Sequence, residues 1–162
     1  MLFAAHLAVT VLVAALLVWT ACYDWRHLKI RNTTVMVFVG LAVLLMALRG
    51  FATWQSDLAA GALLFVIGFG AWMLRAMGGG DAKLFLPLGL LLGMTALSPF
   101  SMFFLLSSVL MLVAIRWAGR RRRSNPVARR LRMMALTRQV PYAVPMAAAT
   151  IPALFLRAFG LA

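Results

Sequence analysis

The sequence predicts an all-α, polytopic membrane protein of about six transmembrane helices with both termini outside the cytoplasm. Of its 162 residues, 65% are hydrophobic and 12% charged, against roughly 45–50% and about 25% in soluble domains. The apolar residues gather into about six stretches that reach or approach the roughly 20 residues a bilayer-spanning helix needs. The basic residues collect in alternate connections, which orients those stretches.

In chain order the predicted spans are Phe3–Cys22, Thr34–Leu48, Leu58–Leu74, Leu84–Leu97, Phe100–Trp117 and Val140–Phe159. The first has no Lys or Arg ahead of it and an apolar run too long for a cleavable signal, so it reads as a retained helix. The second and fourth are the shortest. Together the spans nearly exhaust the chain, which reads as a single integral-membrane domain over residues 1–162 with a basic cytoplasmic loop at about 118–139. No soluble catalytic domain fits in what is left.

Fourteen of the sixteen basic residues fall in the connections after the first, third and fifth spans. Because basic residues resist translocation, those connections are predicted to be cytoplasmic. Arg49 and Arg157 fall on the other side. The run "GRRRRSNPVARRLRMMALTR" lacks an aromatic stacking platform and is not read as a nucleic-acid site. It is expected to be an inner loop, partly helical after Pro126, held to anionic headgroups at roughly 1 kcal/mol per basic residue. The single cysteine, Cys22, can form neither an intramolecular disulfide nor a CxxC metal pair, so neither thiol chemistry nor a structural metal is suggested.

Only three acids occur: Asp24, Asp57 and Asp81. An ionisable group at membrane depth costs several kcal/mol and is a functional hypothesis by default. The predicted topology sets Asp24 and Asp81 on cytoplasmic helix ends, where they can meet. Asp57 lies on the opposite face, is expected to stay out of the chemistry, and its change to Asn is expected to be nearly silent. Taken singly, Asp24 could pair with Arg26 and Asp81 with Lys83. Taken together, two carboxyls at one site cannot both ionise cheaply, so one proton is shared, and the pair can divide acid and base roles. Gly78, Gly79 and Gly80 directly precede Asp81; they are expected to take positive φ and bring backbone close to an extended peptide.

Three segments carry a family resemblance. "YDWRHLKIRN" holds Asp24, Ile30 and Asn32; "GGGDAKLFLPLGLLLG" holds Gly78, Gly80 and Asp81 as GxGD, with Lys83 following; "VPYAVPMAAAT" forms a proline–tyrosine start to the last helix. Together they resemble the type IV prepilin peptidases, membrane aspartic proteases with a GxGD signature, and in particular the short peptidase-only branch of tight-adherence (Flp-type) pili. Arg31 stands where that family usually has proline, which removes a restraint on the connection after Asp24.

The resemblance implies an aspartic endopeptidase of the bacterial inner membrane that removes the leader of prepilins and pseudopilins at the cytoplasmic face. Asp24 and Asp81 would activate water with no metal or organic cofactor, Gly78 and Gly80 would shape the backbone beside Asp81, and Lys83 and Asn32 would support the site. Lacking the cysteine-bearing insert of longer relatives, the chain is expected to cleave without methylating. Two other readings are a small proton-coupled transporter or channel and a catalytically inactive pilus-assembly factor. Gly61, Gly68 and Gly70 are candidates for a surface that packs the substrate helix, with ordinary packing inside the bundle the plainer role.

Overall fold

The computed structural model describes residues 1–120, 126–137 and 140–161. Among these, seven helices and no strand are found: α1 (Leu2–His27), α2 (Asn32–Leu48), α3 (Trp54–Met73), α4 (Gly79–Leu92), α5 (Leu97–Arg120), α6 (Pro126–Thr137) and α7 (Ala143–Ala158). Six correspond to the predicted spans, and α6 is the helical part of the basic loop. Arg121, Arg122, Arg123 and Arg138 of that loop lie outside the described residues.

Three helical stretches, Leu2–His27, Trp54–Met73 and Leu97–Ala118, are long and apolar enough to cross a membrane; α2 and α7 are shorter apolar helices. Length follows position in the bundle. The 14-residue α4 is buried along almost its whole length, including Leu84, Phe85 and every residue from Pro87 to Leu92. It packs most extensively on α3 and also touches α2, α5 and α7, while α7 in turn packs on α1 and α5. The longer helices instead expose large apolar side chains outward, such as Leu12, Val18 and Trp19 on α1 and Leu105, Leu106, Val109 and Leu110 on α5. A helix that is apolar all round suits a bilayer as solvent.

Close approach of α3 and α4 depends on glycine. A Cβ on Gly89 would lie 2.4 Å from the Ala60 carbonyl oxygen and 2.6 Å from Gly61 Cα, and one on Gly61 would lie 2.8 Å from Leu90 Cδ2. Gly68 meets Phe85 of α4 in the same way. Gly61 and Gly68 therefore pack within the bundle, as small residues at helix interfaces do; Gly70 has open space where its Cβ would be.

Each inward stripe carries an acid at its end. On α1 the buried residues are Thr10, Val13, Leu17, Thr20 and Asp24, a run of three- and four-residue steps that keeps one face toward the core. Asp24 occupies the last position of that face. On α3 the buried set starts with Asp57 and continues through Ala60, Gly61, Leu64 and Gly68. Helix periodicity alone therefore turns both carboxylates inward, at opposite ends of the bundle.

Candidate active site

Five chain segments meet at one end of the bundle: the C-terminal ends of α1 and α3 and the N-terminal ends of α2, α4 and α7. Asp24 sits in the last turn of α1 and is 3% exposed. The helix stops at Leu28, which takes a left-handed conformation (φ 51°) and donates its N–H to the Asp24 carbonyl at 2.8 Å. A branched side chain rarely adopts that conformation; here it ends the helix one turn after the acid and swings Ile30 toward α4.

The glycines before Asp81 work by size. None of the three has positive φ; Gly78 is extended (φ −69°, ψ 146°), and α4 begins at Gly79. The expectation of positive φ is corrected accordingly. A Cβ on Gly78 would lie 2.8 Å from Asp81 Oδ2, and one on Gly80 would lie 3.2 Å from Ile30 Cβ and 3.4 Å from the Ile30 backbone. Gly78 thus leaves room for the carboxylate itself. Gly80 lets the segment that follows Asp24 lie against the helix that carries Asp81.

The two carboxyls share their surroundings. A cavity of about 560 Å³ is lined by Asp24 and Asp81 together with Ile30, Phe65, Phe69 and Trp72, so an apolar wall on α3 faces the acids. A second cavity of about 290 Å³ also reaches both, with Tyr142 and Arg75 at its side. Among the described residues neither carboxyl has a cation partner. Lys83, two residues from Asp81, instead donates to Asn32 Oδ1 at 3.2 Å, tying the start of α4 to the start of α2. The single-residue pairings of Asp24 with Arg26 and of Asp81 with Lys83 are thus not formed.

Asp24 Oδ2 accepts the Ala143 backbone N–H at 3.3 Å. Asp81 Oδ1 is buried with no hydrogen-bond partner among the described residues. Asp81 precedes the apolar run that starts at Leu84, and its pKa is raised to about 7. Burial is the largest cause, the neighbouring Asp24 charge adds to it, and the Gly78 backbone opposes it. Near neutrality Asp81 is therefore only partly ionised.

Arg31 has φ −80° and ψ 140°, close to the φ of about −65° that a proline ring imposes. The arginine adopts the backbone expected of the usual proline, so the connection keeps its shape without the ring.

Asp57, away from the other two acids, is held by ion pairs that its sequence context did not assign. It is fully buried and pairs with Arg157, whose Nη2 contacts Asp57 Oδ1, and with Arg49 at 3.7 Å. Thr53 donates to its second oxygen at 3.1 Å, Arg157 also reaches the Leu91 carbonyl at 2.7 Å, and Arg49 Nε donates to His6 Nε2 at 3.0 Å. The acid is remote from the pair at the other end, yet it joins α2, α3 and α7. The signal was present in sequence: the predicted topology puts Arg49 and Arg157, the two basic residues apart from the other fourteen, on the same side as Asp57. Tyr142 and the Ala143 N–H were also missed as members of the candidate site, although the segment that holds them had been singled out.

Residues 11–115 match the profile of the type IV leader peptidase family, a stretch that takes in Asp24, Asn32, Gly78, Gly80, Asp81 and Lys83 and ends before α6 and α7. No curated protein and no solved structure matches the chain. With well over half of its length covered, and with the two carboxyls of that stretch opening into a common cavity, the chain belongs to the type IV leader peptidase family.

Proposed function

We propose that the protein is an aspartic endopeptidase that removes the leader of Flp-type prepilins and pseudopilins, using Asp24 and Asp81 as its catalytic pair. The observation that carries this reading is the shared cavity. Two carboxyls without cation partners among the described residues open into one space beside an apolar wall, and the pKa of one of them is raised to about 7 by burial and by the other's charge.

In the proposed reaction the ionised Asp24 takes a proton from water as the water oxygen attacks the scissile carbonyl carbon. Asp81 gives its proton to the carbonyl oxygen, which yields a neutral diol. The Asp24 proton then passes to the leaving nitrogen as the C–N bond breaks, and Asp81 recovers a proton from the diol hydroxyl. The Ala143 N–H, whose hydrogen bond Asp24 Oδ2 accepts, holds that oxygen in place through the cycle. Electrostatic complementarity of this kind is worth most in a site sheltered from water.

The wider setting follows from charge. Lys29, Arg31, Arg75 and Lys83 belong to segments at the dyad's end of the bundle, and the 14-to-2 distribution of basic residues supports a cytoplasmic location for that end. Six crossings of the bacterial inner membrane, with both termini outside, fit this charge pattern. The exposed Arg129 and Arg132 of α6 are suited to anionic headgroups. Phe65, Phe69 and Trp72 offer the substrate's apolar segment a surface next to the acids.

The test is cleavage in vitro. Purified protein mixed with a full-length Flp-type prepilin should yield the shortened pilin and a free leader. A transporter, a channel or an inactive assembly factor would leave the prepilin whole.

A further inference from the structure

We propose that Arg130 and Tyr142 are positioning residues that set the alignment of the two aspartates; the inference rests on the dyad reading above. Both residues lie beyond the stretch that matches the family profile. Each reaches back over a long sequence separation to a segment that bears one of the acids.

Arg130 of α6 donates from Nε to the Trp25 carbonyl at 3.2 Å and from Nη2 to the Arg26 carbonyl at 2.7 Å. These carbonyls belong to the last turn of α1, where helix geometry leaves oxygens without amide partners, and a cation there also opposes the helix dipole. Asp24 is on the same turn. Arg130 is half-buried, whereas Arg129 and Arg132 on the same helix are exposed. The charge that faces inward is thus the one that grips the acid-bearing turn.

Tyr142 holds the other acid. Its hydroxyl donates to the Ala76 carbonyl at 3.1 Å, in the connection between α3 and Gly78 that leads into Asp81. That connection includes Arg75 at φ 58°, a conformation disfavoured for a residue with a Cβ, so a tie from outside helps to hold it. The next residue, Ala143, donates its N–H to Asp24. Two consecutive residues at the start of α7 therefore touch both acid-bearing segments, and Arg130 fixes the first of these from its other side. Sharing one proton between two carboxyls requires their separation to be held closely, and a displacement of about 1 Å can cost on the order of a hundredfold in rate.

The experiment measures kcat and KM for Flp-type prepilin cleavage by the purified full chain carrying Tyr142→Phe, Arg130→Gln, Arg130→Lys or Asp24→Asn. Unfolding midpoints are recorded for each. Tyr142→Phe removes a single hydroxyl and keeps the ring, so folding is preserved. Positioning predicts that kcat falls about tenfold or more in Tyr142→Phe and Arg130→Gln, with KM within about twofold and the midpoint unchanged. Arg130→Lys should recover part of the loss, since it keeps the charge without the two-pronged donor. Full kcat in both Tyr142→Phe and Arg130→Gln beside an inactive Asp24→Asn overturns the proposal, as does a loss that follows the unfolding midpoint with Lys no better than Gln. Normal cleavage by Asp24→Asn overturns the dyad reading itself and removes what the two residues would position.

Discussion

At one end of the bundle a buried carboxylate meets two guanidinium groups; at the other, two carboxyls meet no cation among the described residues. The chain has sixteen basic residues and three acids, so leaving two acids unpaired is not for want of partners. Lys83 is two positions from Asp81 and turns to Asn32 instead. The contrast sets a paired, structural acid apart from the two acids proposed to do chemistry. Asp57 has Oδ1 matched by Arg157 and Oδ2 by Thr53 and Arg49, which offsets the cost of burying charge. Among the described residues Asp24 has one backbone donor and Asp81 Oδ1 has none, an arrangement that is poor for stability and suited to proton transfer.

The largest expected effect tests the unpaired end. Asp24→Asn and Asp81→Asn should each lower prepilin cleavage about a hundred- to ten-thousandfold, the range that general acid–base groups supply, while the protein remains folded in the membrane. The double variant should be little worse than either single one, because groups acting as a unit are strongly non-additive. Substantial turnover by either single variant would erase the functional side of the comparison.

The paired end should respond in stability. Asp57→Asn leaves Arg157 and Arg49 close together without their counter-charge, and breaking a buried pair from one side costs about 3–5 kcal/mol. Thermal unfolding in detergent should show a clear drop, whereas cleavage per folded molecule should stay near the unaltered value. An unfolding midpoint indistinguishable from the parent would mean that the cluster contributes little.

A third expectation concerns pH. The Asp81 pKa lies above its ordinary 3.8, at about 7, so the folded state binds this proton more tightly than the unfolded chain does. The stabilisation is complete below the ordinary value and is lost as pH rises through about 7. Cleavage should decline over the same alkaline interval as the donor disappears. Asp81→Asn should remove that part of the pH dependence of unfolding, which can be read from midpoints at pH 5.5 and 8.5 without any activity. Identical slopes for parent and variant would place the titration elsewhere.

Smaller effects follow from the glycines and from Arg31. Gly80→Ala forces Ile30 to yield by a few tenths of an ångström, and overpacking of this kind costs about 1–3 kcal/mol; activity should fall more than stability, because the displaced segment is the one that follows Asp24. Arg31→Pro should leave activity intact and raise stability by about 0.4–1 kcal/mol, since the native φ already suits the ring. A loss of stability in Arg31→Pro would show that the connection needs a freedom its backbone angles do not reveal.

Composition and the length of the apolar stretches were enough to establish an all-helical membrane protein and to place six of its helices, because apolar content is a local property. Charge asymmetry placed Asp24 and Asp81 at one end and Asp57 at the other, since the side on which a loop lies follows from counting its lysines and arginines. What each acid does there was decided by tertiary contacts. Whether Lys83 turns to Asp81 or to Asn32, whether Arg49 and Arg157 converge on Asp57, and whether Gly80 serves by φ or by the missing Cβ all depend on how close separate helices come. The clearest case is the last segment: "VPYAVPMAAAT" was visible as a distinctive string, but nothing local says that its tyrosine reaches Ala76 or that its next N–H meets Asp24. Such contacts join residues 66 and 119 positions apart, and only the packing of α7 against α1 and α4 brings them together.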